Sequence, residues 1–328
     1  MTAPMNKKMK LWLSIGLFAA FAVGLIGIAA TTGWRESVSA ISRLTGTQLM
    51  LLLALSLINY GFRSLRWHVY TNALTINTSL TTDIRHYLGG FALTATPGRV
   101  GELIRLRWIW LETGTKPDKS ASLVLIDRAA DLAAVGLLLA VSVAVSSAGL
   151  KGGWTVSIIA VALALVVTRP ELLRFLITSA WRFVGKFPRL FATIRSASRG
   201  LHIFAQPSVF FSATALGVLG WCAEAVAFFL LLQWMGADIS LSIALAIFFL
   251  SVLTGGATGL PGGIGGAEAA MIAGLTLKGV PMEIALPATA VIRLTTLWFA
   301  ILVGVAIFPI AERRAEKFAF EKPAHAME

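Results

Sequence analysis

Thr94-Ala-Thr-Pro97-Gly98-Arg99-Val100-Gly101-Glu102 and Thr258-Gly-Leu-Pro261-Gly262-Gly263-Ile264-Gly265-Gly-Ala-Glu268 read as two copies of one phrase. Aligned on Pro-Gly, they stand 164 residues apart, half of the 328-residue chain. Each is followed about 30 residues later by an arginine in an apolar run, Asp127-Arg128 and Ile292-Arg293. Proline and glycine break helices, and charges are costly in hydrocarbon. An apolar sequence that keeps both together, twice, has a use for them.

The surroundings of the phrase set the class of protein. Mean hydropathy is +0.79, with 57% apolar and 13% charged residues, against roughly a quarter charged in soluble domains. Several apolar runs reach the ~20 residues that cross a bilayer. The expected fold is therefore an all-α polytopic membrane protein. One cysteine, Cys222, leaves no internal disulfide and no cysteine-based metal cluster. The four histidines (68, 86, 202 and 325) lack metal-ligand spacing and read as interfacial or tail residues.

Working outward from the first copy, residues 80–111 form an apolar stretch cut at Pro97-Gly98, each half too short to span. Irregular backbone at membrane depth must be buried or line a cavity. A re-entrant helical hairpin with Pro97–Glu102 at its tip fits, and the alternative is one kinked spanning helix. Residues 240–278 are interrupted in the same way by seven glycines between 255 and 266. The remaining spans are predicted at about 11–30, 48–68, 120–147, 153–168, 208–234 and 284–308. Trp67 and Tyr70 read as interfacial anchors, and Asn59, Arg63 and Arg66 share a face of the 48–68 helix. Residues 169–206 form a basic linker whose cations alternate with apolar residues, read as an amphipathic helix on anionic lipid or, equally, as a solvated basic loop.

The charges orient this scheme. With six crossings and two hairpins, 21 Lys/Arg fall on the side of both termini and four on the other (Arg35, Arg43, Lys151, Lys278). The positive-inside rule then makes both termini cytoplasmic. Three cations remain, Arg99, Arg128 and Arg293, all in the repeated unit. The chain reads as one integral-membrane domain, 1–328, with oppositely oriented repeat halves at about 46–148 and 208–310. Inverted repeats with broken helices meeting at the midplane are a transporter pattern.

The candidate substrate-binding residues are Pro97, Gly98, Arg99, Gly101, Glu102, Arg128, Gly262, Gly263, Gly265, Glu268 and Arg293. Half-helices starting at glycine-rich tips offer free N–H groups and a positive dipole end to a phosphate or carboxylate. The arginines would add bidentate donors. Asp127, Asp131 and Glu224 are candidates for charge pairing or coupling, and Arg128 and Asp131 stand at i, i+3. The opposing reading is that these charges only fix the hairpins to the bundle. Gly-Gly-Ile-Gly-Gly-Ala lacks the spacing and strand context of a dinucleotide loop, and there is no phosphate-binding loop for ATP. No nucleophile–base set stands out, so neither an enzyme nor a cofactor is expected. The net charge of +12 is assigned to the membrane surface rather than to nucleic acid.

These residues also carry a likeness. Thr96-Pro-Gly-Arg-Val-Gly-Glu102-Leu-Ile-Arg105, Asp127-Arg128-x-x-Asp131, Leu260-Pro-Gly-Gly-Ile-Gly-Gly-Ala-Glu268 and Ile292-Arg293 resemble the membrane domain of lysylphosphatidylglycerol synthase/flippase proteins, over about residues 10–310. The resemblance implies a bundle with two re-entrant helices and movement of a phospholipid between leaflets of the bacterial inner membrane. It also implies an aminoacyl-transferase domain that residues up to Glu328 do not contain, so a stand-alone member is expected. The expected function is a flippase-like lipid translocase, with a membrane phospholipid or other phosphate-bearing lipid as partner. The alternative is a non-transporting scaffold for a lipid-modifying enzyme or glycosyltransferase, docking on the basic linker.

Overall fold

The computed structural model describes residues 39, 42, 44–94, 96, 100–146, 153–168, 175 and 206–321. The predicted span at 11–30, the tip residues Pro97, Gly98 and Arg99, and the basic linker apart from Phe175 and Gln206 lie outside them. Every element among the described residues is helical. In chain order they are α1 (Gly46–Ala73), α2 (Leu80–Gly90), α3 (Val100–Thr113), α4 (Pro117–Val145), α5 (Gly153–Thr168), α6 (Pro207–Trp234), α7 (Leu241–Ala257), α8 (Gly266–Leu277), α9 (Met282–Arg293) and α10 (Phe299–Glu321). Short 3-10 turns follow α2 and α7, and a π turn, Leu294–Trp298, joins α9 to α10.

Among the described residues, four stretches are long and apolar enough to cross a membrane: Gly46–Ala73, Lys119–Val145, Pro207–Trp234 and Met282–Phe318. Helix α5 falls where it is predicted but has 16 residues, short of the ~20 that a crossing needs. The helix predicted at 284–308 runs further than expected, α10 continuing through the charged segment after 308 to Glu321.

Both interrupted stretches fold back on themselves. A Cβ at Gly101 would stand 2.2 Å from the Gly90 carbonyl oxygen, so the α2 and α3 backbones touch near the turn. The same test at Gly255 gives 2.8 Å to the Ala267 side chain, and at Gly274 gives 3.0 Å to Ile247, so α7 and α8 run antiparallel. One kinked helix could make none of these contacts. Gly262 and Gly265 hold φ of 62° and 86°, in a region that side chains with a Cβ rarely adopt.

Small residues set how closely α1 and α6 approach. Ala213, Gly217 and Gly220 lie on one face of α6, with Gly217 against the Arg66 guanidinium and Gly220 against Asn59. Since the higher-numbered residue of α1 meets the lower-numbered residue of α6, the two helices are antiparallel. Elsewhere polar latches hold the first hairpin in place. Glu112 of α3 receives two bonds of 2.9 Å from Arg85 and lies 3.1 Å from His86. Burial would raise the Glu112 pKa, but His86 and Arg85 hold it below its ordinary value. Glu312 of α10 accepts from Arg107 and from the Trp108 indole.

Several expectations change here. Trp67 and Tyr70 are core residues, 0% and 2% exposed, not interfacial anchors. His86 is fully buried and His68 lies 2.6 Å from Asp83, so both serve helix packing rather than an interface. Arg66 and Arg105, which the sequence places with the cytoplasmic cations, are 0% and 4% exposed, and the Arg63 side chain is only 12% exposed. In the predicted six-crossing scheme, removing these three leaves eighteen of the twenty-one cations on one side against four on the other.

Candidate functional site

The centre of the bundle holds a cluster of charges from three helices. Asp131 of α4 accepts from Arg63 and Arg66 of α1, each at 2.7 Å, from Arg128 at 3.0 Å, and from the Trp221 indole of α6 at 3.2 Å. Asp127, one turn earlier, takes Arg66 at 2.6 Å, Arg128 at 3.0 Å and the Tyr87 hydroxyl at 3.4 Å. Glu102, in the first turn of α3, reaches Arg128 at 3.4 Å. Three guanidinium groups thus face three carboxylates, and each charge has an opposite charge beside it, although Nε of all three and Nη1 of Arg66 are left without a hydrogen-bond partner.

The second hairpin repeats the motif with fewer members. Glu268, at the start of α8, accepts from Arg293 Nε at 2.6 Å through one oxygen. Its other oxygen accepts the Gly265 N–H at 2.7 Å. Arg293 Nη2 donates to the Gly262 carbonyl at 2.7 Å. Arg293 therefore ties the turn to α9, and the N-terminus of α8 is capped by its own Glu268. Gly263 packs against the Gly255 backbone and has no room for a side chain.

Between the two arrangements lies a cavity of about 830 Å³. Thr94, Gly101 and Glu102 line it from the first hairpin, and Gly255, Gly262 and Gly263 from the second. Tyr60, Arg63, Arg105, Arg128, Asp131, Glu224 and Arg293 add polar groups to walls that are otherwise apolar, such as Leu132, Phe248 and Ile292. Glu224 faces this space, 7% exposed, and forms no salt bridge among the described residues. The π turn lets the Tyr60 hydroxyl donate to the Thr296 carbonyl at the cavity wall.

Of the residues predicted as a site, the structure places Gly101, Glu102, Arg128, Asp131, Glu224, Gly262, Gly263 and Arg293 on the cavity. Asp127, Gly265 and Glu268 stand behind it as partners of those groups. Sequence reasoning passed over Tyr60, Tyr87 and Trp221, and set Arg63, Arg66 and Arg105 among surface cations. The signal was present for the α1 pair: Arg63 and Arg66 share a face with Asn59, and buried cations on a spanning helix need acids opposite.

Known proteins similar to this chain are membrane proteins. A family model described as "Lysylphosphatidylglycerol synthase TM region" matches residues 11–304. A "UPF0104 membrane protein" of Methanothermobacter thermautotrophicus (strain ATCC 29096 / DSM 1053 / JCM 10044 / NBRC 100330 / Delta H) is 26% identical over 317 residues, covering 88% of this chain and 93% of its own length. A second match of that description in the same organism is 33% identical over 93 residues, 28% of each chain. The chain is an integral membrane protein and belongs to the lysylphosphatidylglycerol synthase transmembrane-region family.

Proposed function

We propose that the protein moves a phosphate-bearing lipid between the leaflets of the cytoplasmic membrane, its headgroup passing through the central cavity while the acyl chains stay in the bilayer. The observation that carries this reading is the cavity itself, lined by both hairpins and holding charged groups within apolar walls. Ionisable residues inside a membrane bundle mark pathways more often than they mark packing alone. The antiparallel pairing of α1 with α6 supports opposite entry of the hairpins. The base of the first follows the end of α1, and the base of the second follows the end of α6, at the other side of the bundle. In this reading the halves are an inverted repeat within six crossings, both termini are cytoplasmic, and one site opens alternately to each side. The chain moves its substrate without covalent chemistry. The family description names a lysylated phospholipid, and the lipid carried here is assigned only as phosphate-bearing.

Reconstitution tests this directly. Proteoliposomes carrying reporter lipids with anionic, zwitterionic or polyprenyl-phosphate headgroups should exchange at least one class between leaflets faster than protein-free vesicles. Exchange no faster than in empty vesicles for every class sinks the proposal.

A further inference from the structure

Among the described residues, four arginines line the cavity: Arg63, Arg105, Arg128 and Arg293. Three are neutralised where they stand, Arg63 by Asp131, Arg128 by Glu102, Asp127 and Asp131, and Arg293 by Glu268. An anion approaching any of these meets a carboxylate beside the cation. Arg105 differs. It is 4% exposed, and among the described residues no carboxylate lies within salt-bridge distance of it.

Aromatic rings surround it instead. Its guanidinium carbon lies 4.0 Å from the Tyr87 ring centroid, 5.4 Å from Trp67 and 5.7 Å from Phe91. Stacking engages the flat face of a guanidinium and leaves its in-plane N–H donors unused. Nε and Nη1 of Arg105 have no hydrogen-bond partner. Space for the group is made by the bare backbone of the first hairpin, since a Cβ at Gly90 would fall 2.4 Å from Nε. A buried, permanently charged guanidinium with unpaired N–H donors lacks an acceptor, and either of its bidentate edges, Nε with Nη2 or Nη1 with Nη2, matches two oxygens of a phosphate.

We propose that Arg105 is the anion ligand of the cavity, taking the oxygens of a phosphate mono- or diester, while the Arg63–Arg66–Arg128 cluster and the Arg293–Glu268 tie form the fixed frame around it. This rests on the translocase reading and sharpens it to one residue.

The test uses the full chain in detergent micelles with three probes: dihexanoyl phosphatidylglycerol, inorganic phosphate, and uncharged dihexanoylglycerol. Binding is read by tryptophan fluorescence and by the ligand-induced rise in Tm. The phosphatidylglycerol should bind wild type and raise its Tm, and Arg105→Gln should weaken binding about 10- to 100-fold, with the unliganded Tm unchanged or higher. If inorganic phosphate binds as tightly as the lipid, with the same dependence on Arg105, the site is upheld and its ligand is free anion. If only the lipid binds, the ligand is the headgroup. Binding by Arg105→Gln within twofold of wild type overturns the assignment, as does equal binding of the uncharged probe or no binding of either phosphate probe by wild type. Should the Gln variant not fold, Arg105→Lys replaces it, and undiminished affinity in that variant also overturns the assignment. Leaflet exchange measured in parallel separates the two proposals. Wild-type exchange that Arg105→Gln leaves unchanged removes the Arg105 assignment alone. Arg105-dependent binding without wild-type exchange removes the translocase reading alone.

Discussion

Asp131 gathers four donors from three helices within 3.2 Å, which makes it the residue on which the buried charges turn. In a low-dielectric interior these groups are tolerable only as a set, because removing one leaves the others uncompensated. Asp131→Asn keeps the shape and deletes the charge, and should cost about 3–5 kcal/mol. The check is the Tm of purified protein in detergent, falling well below wild type. Trp221→Phe removes one hydrogen bond to the same carboxylate and should cost about 1 kcal/mol, so the two variants should rank clearly. Equal melting of Asp131→Asn and wild type would mean that the cluster does not hold α1, α4 and α6 together. Part of it was legible in sequence, since Arg128 and Asp131 sit at i, i+3 and Arg63 and Arg66 share a helical face. Their common destination was not. An arginine near the end of a spanning helix reads alike whether it snorkels to the interface or turns inward to an acid, and only the docking of α1 on α4 decides.

At the scale of elements, the first hairpin is held at its turn by α10. A Cβ at Gly304 would stand 2.1 Å from the Ala92 nitrogen and 2.6 Å from the Phe91 carbonyl carbon. Both are backbone atoms, so no rotamer change relieves the overlap. Gly304→Ala should therefore cost about 1–3 kcal/mol or more by overpacking, read as a lower Tm or a loss of monodisperse protein on size exclusion. Gly256→Ala is the control, because nothing lies within 4 Å of the added methyl, and it should behave as wild type. Unimpaired folding of Gly304→Ala would argue against this contact between the hairpin turn and α10. The hairpins themselves were readable, since Pro97-Gly98 and the glycines after Gly255 cannot continue a helix and neither flank can span alone. The partner of the first turn was hidden, because a lone glycine in an apolar run looks the same facing backbone or lipid. The π turn at Leu294–Trp298 has no residue-type signature, and the Tyr60–Thr296 bond that it permits was equally hidden.

For the whole molecule the open relation is that of the two hairpins to the membrane. Antiparallel packing of α1 on α6 supports the proposal that the Lys116 end of the first hairpin and the Lys278 end of the second lie at opposite sides of the bundle. The charge bias of the proposed topology then assigns the sides: in it eighteen cations fall with Lys116 and four, Lys278 among them, fall opposite. Backbone contact and charge distribution together predict one labelling pattern. In a Cys222→Ser background, single cysteines introduced at Ser37 and Lys278 should react in intact cells with a membrane-impermeant maleimide. Cysteines at Lys116 and Arg195 should react only after the membrane is opened. Labelling of Lys116 and Lys278 from the same side would place both hairpin bases on one face, and the inverted repeat would be lost with the alternating access built on it. Labelling on opposite sides but with Lys116 outside would keep the repeat and reverse the orientation, so the experiment separates what the packing argues from what the charges argue.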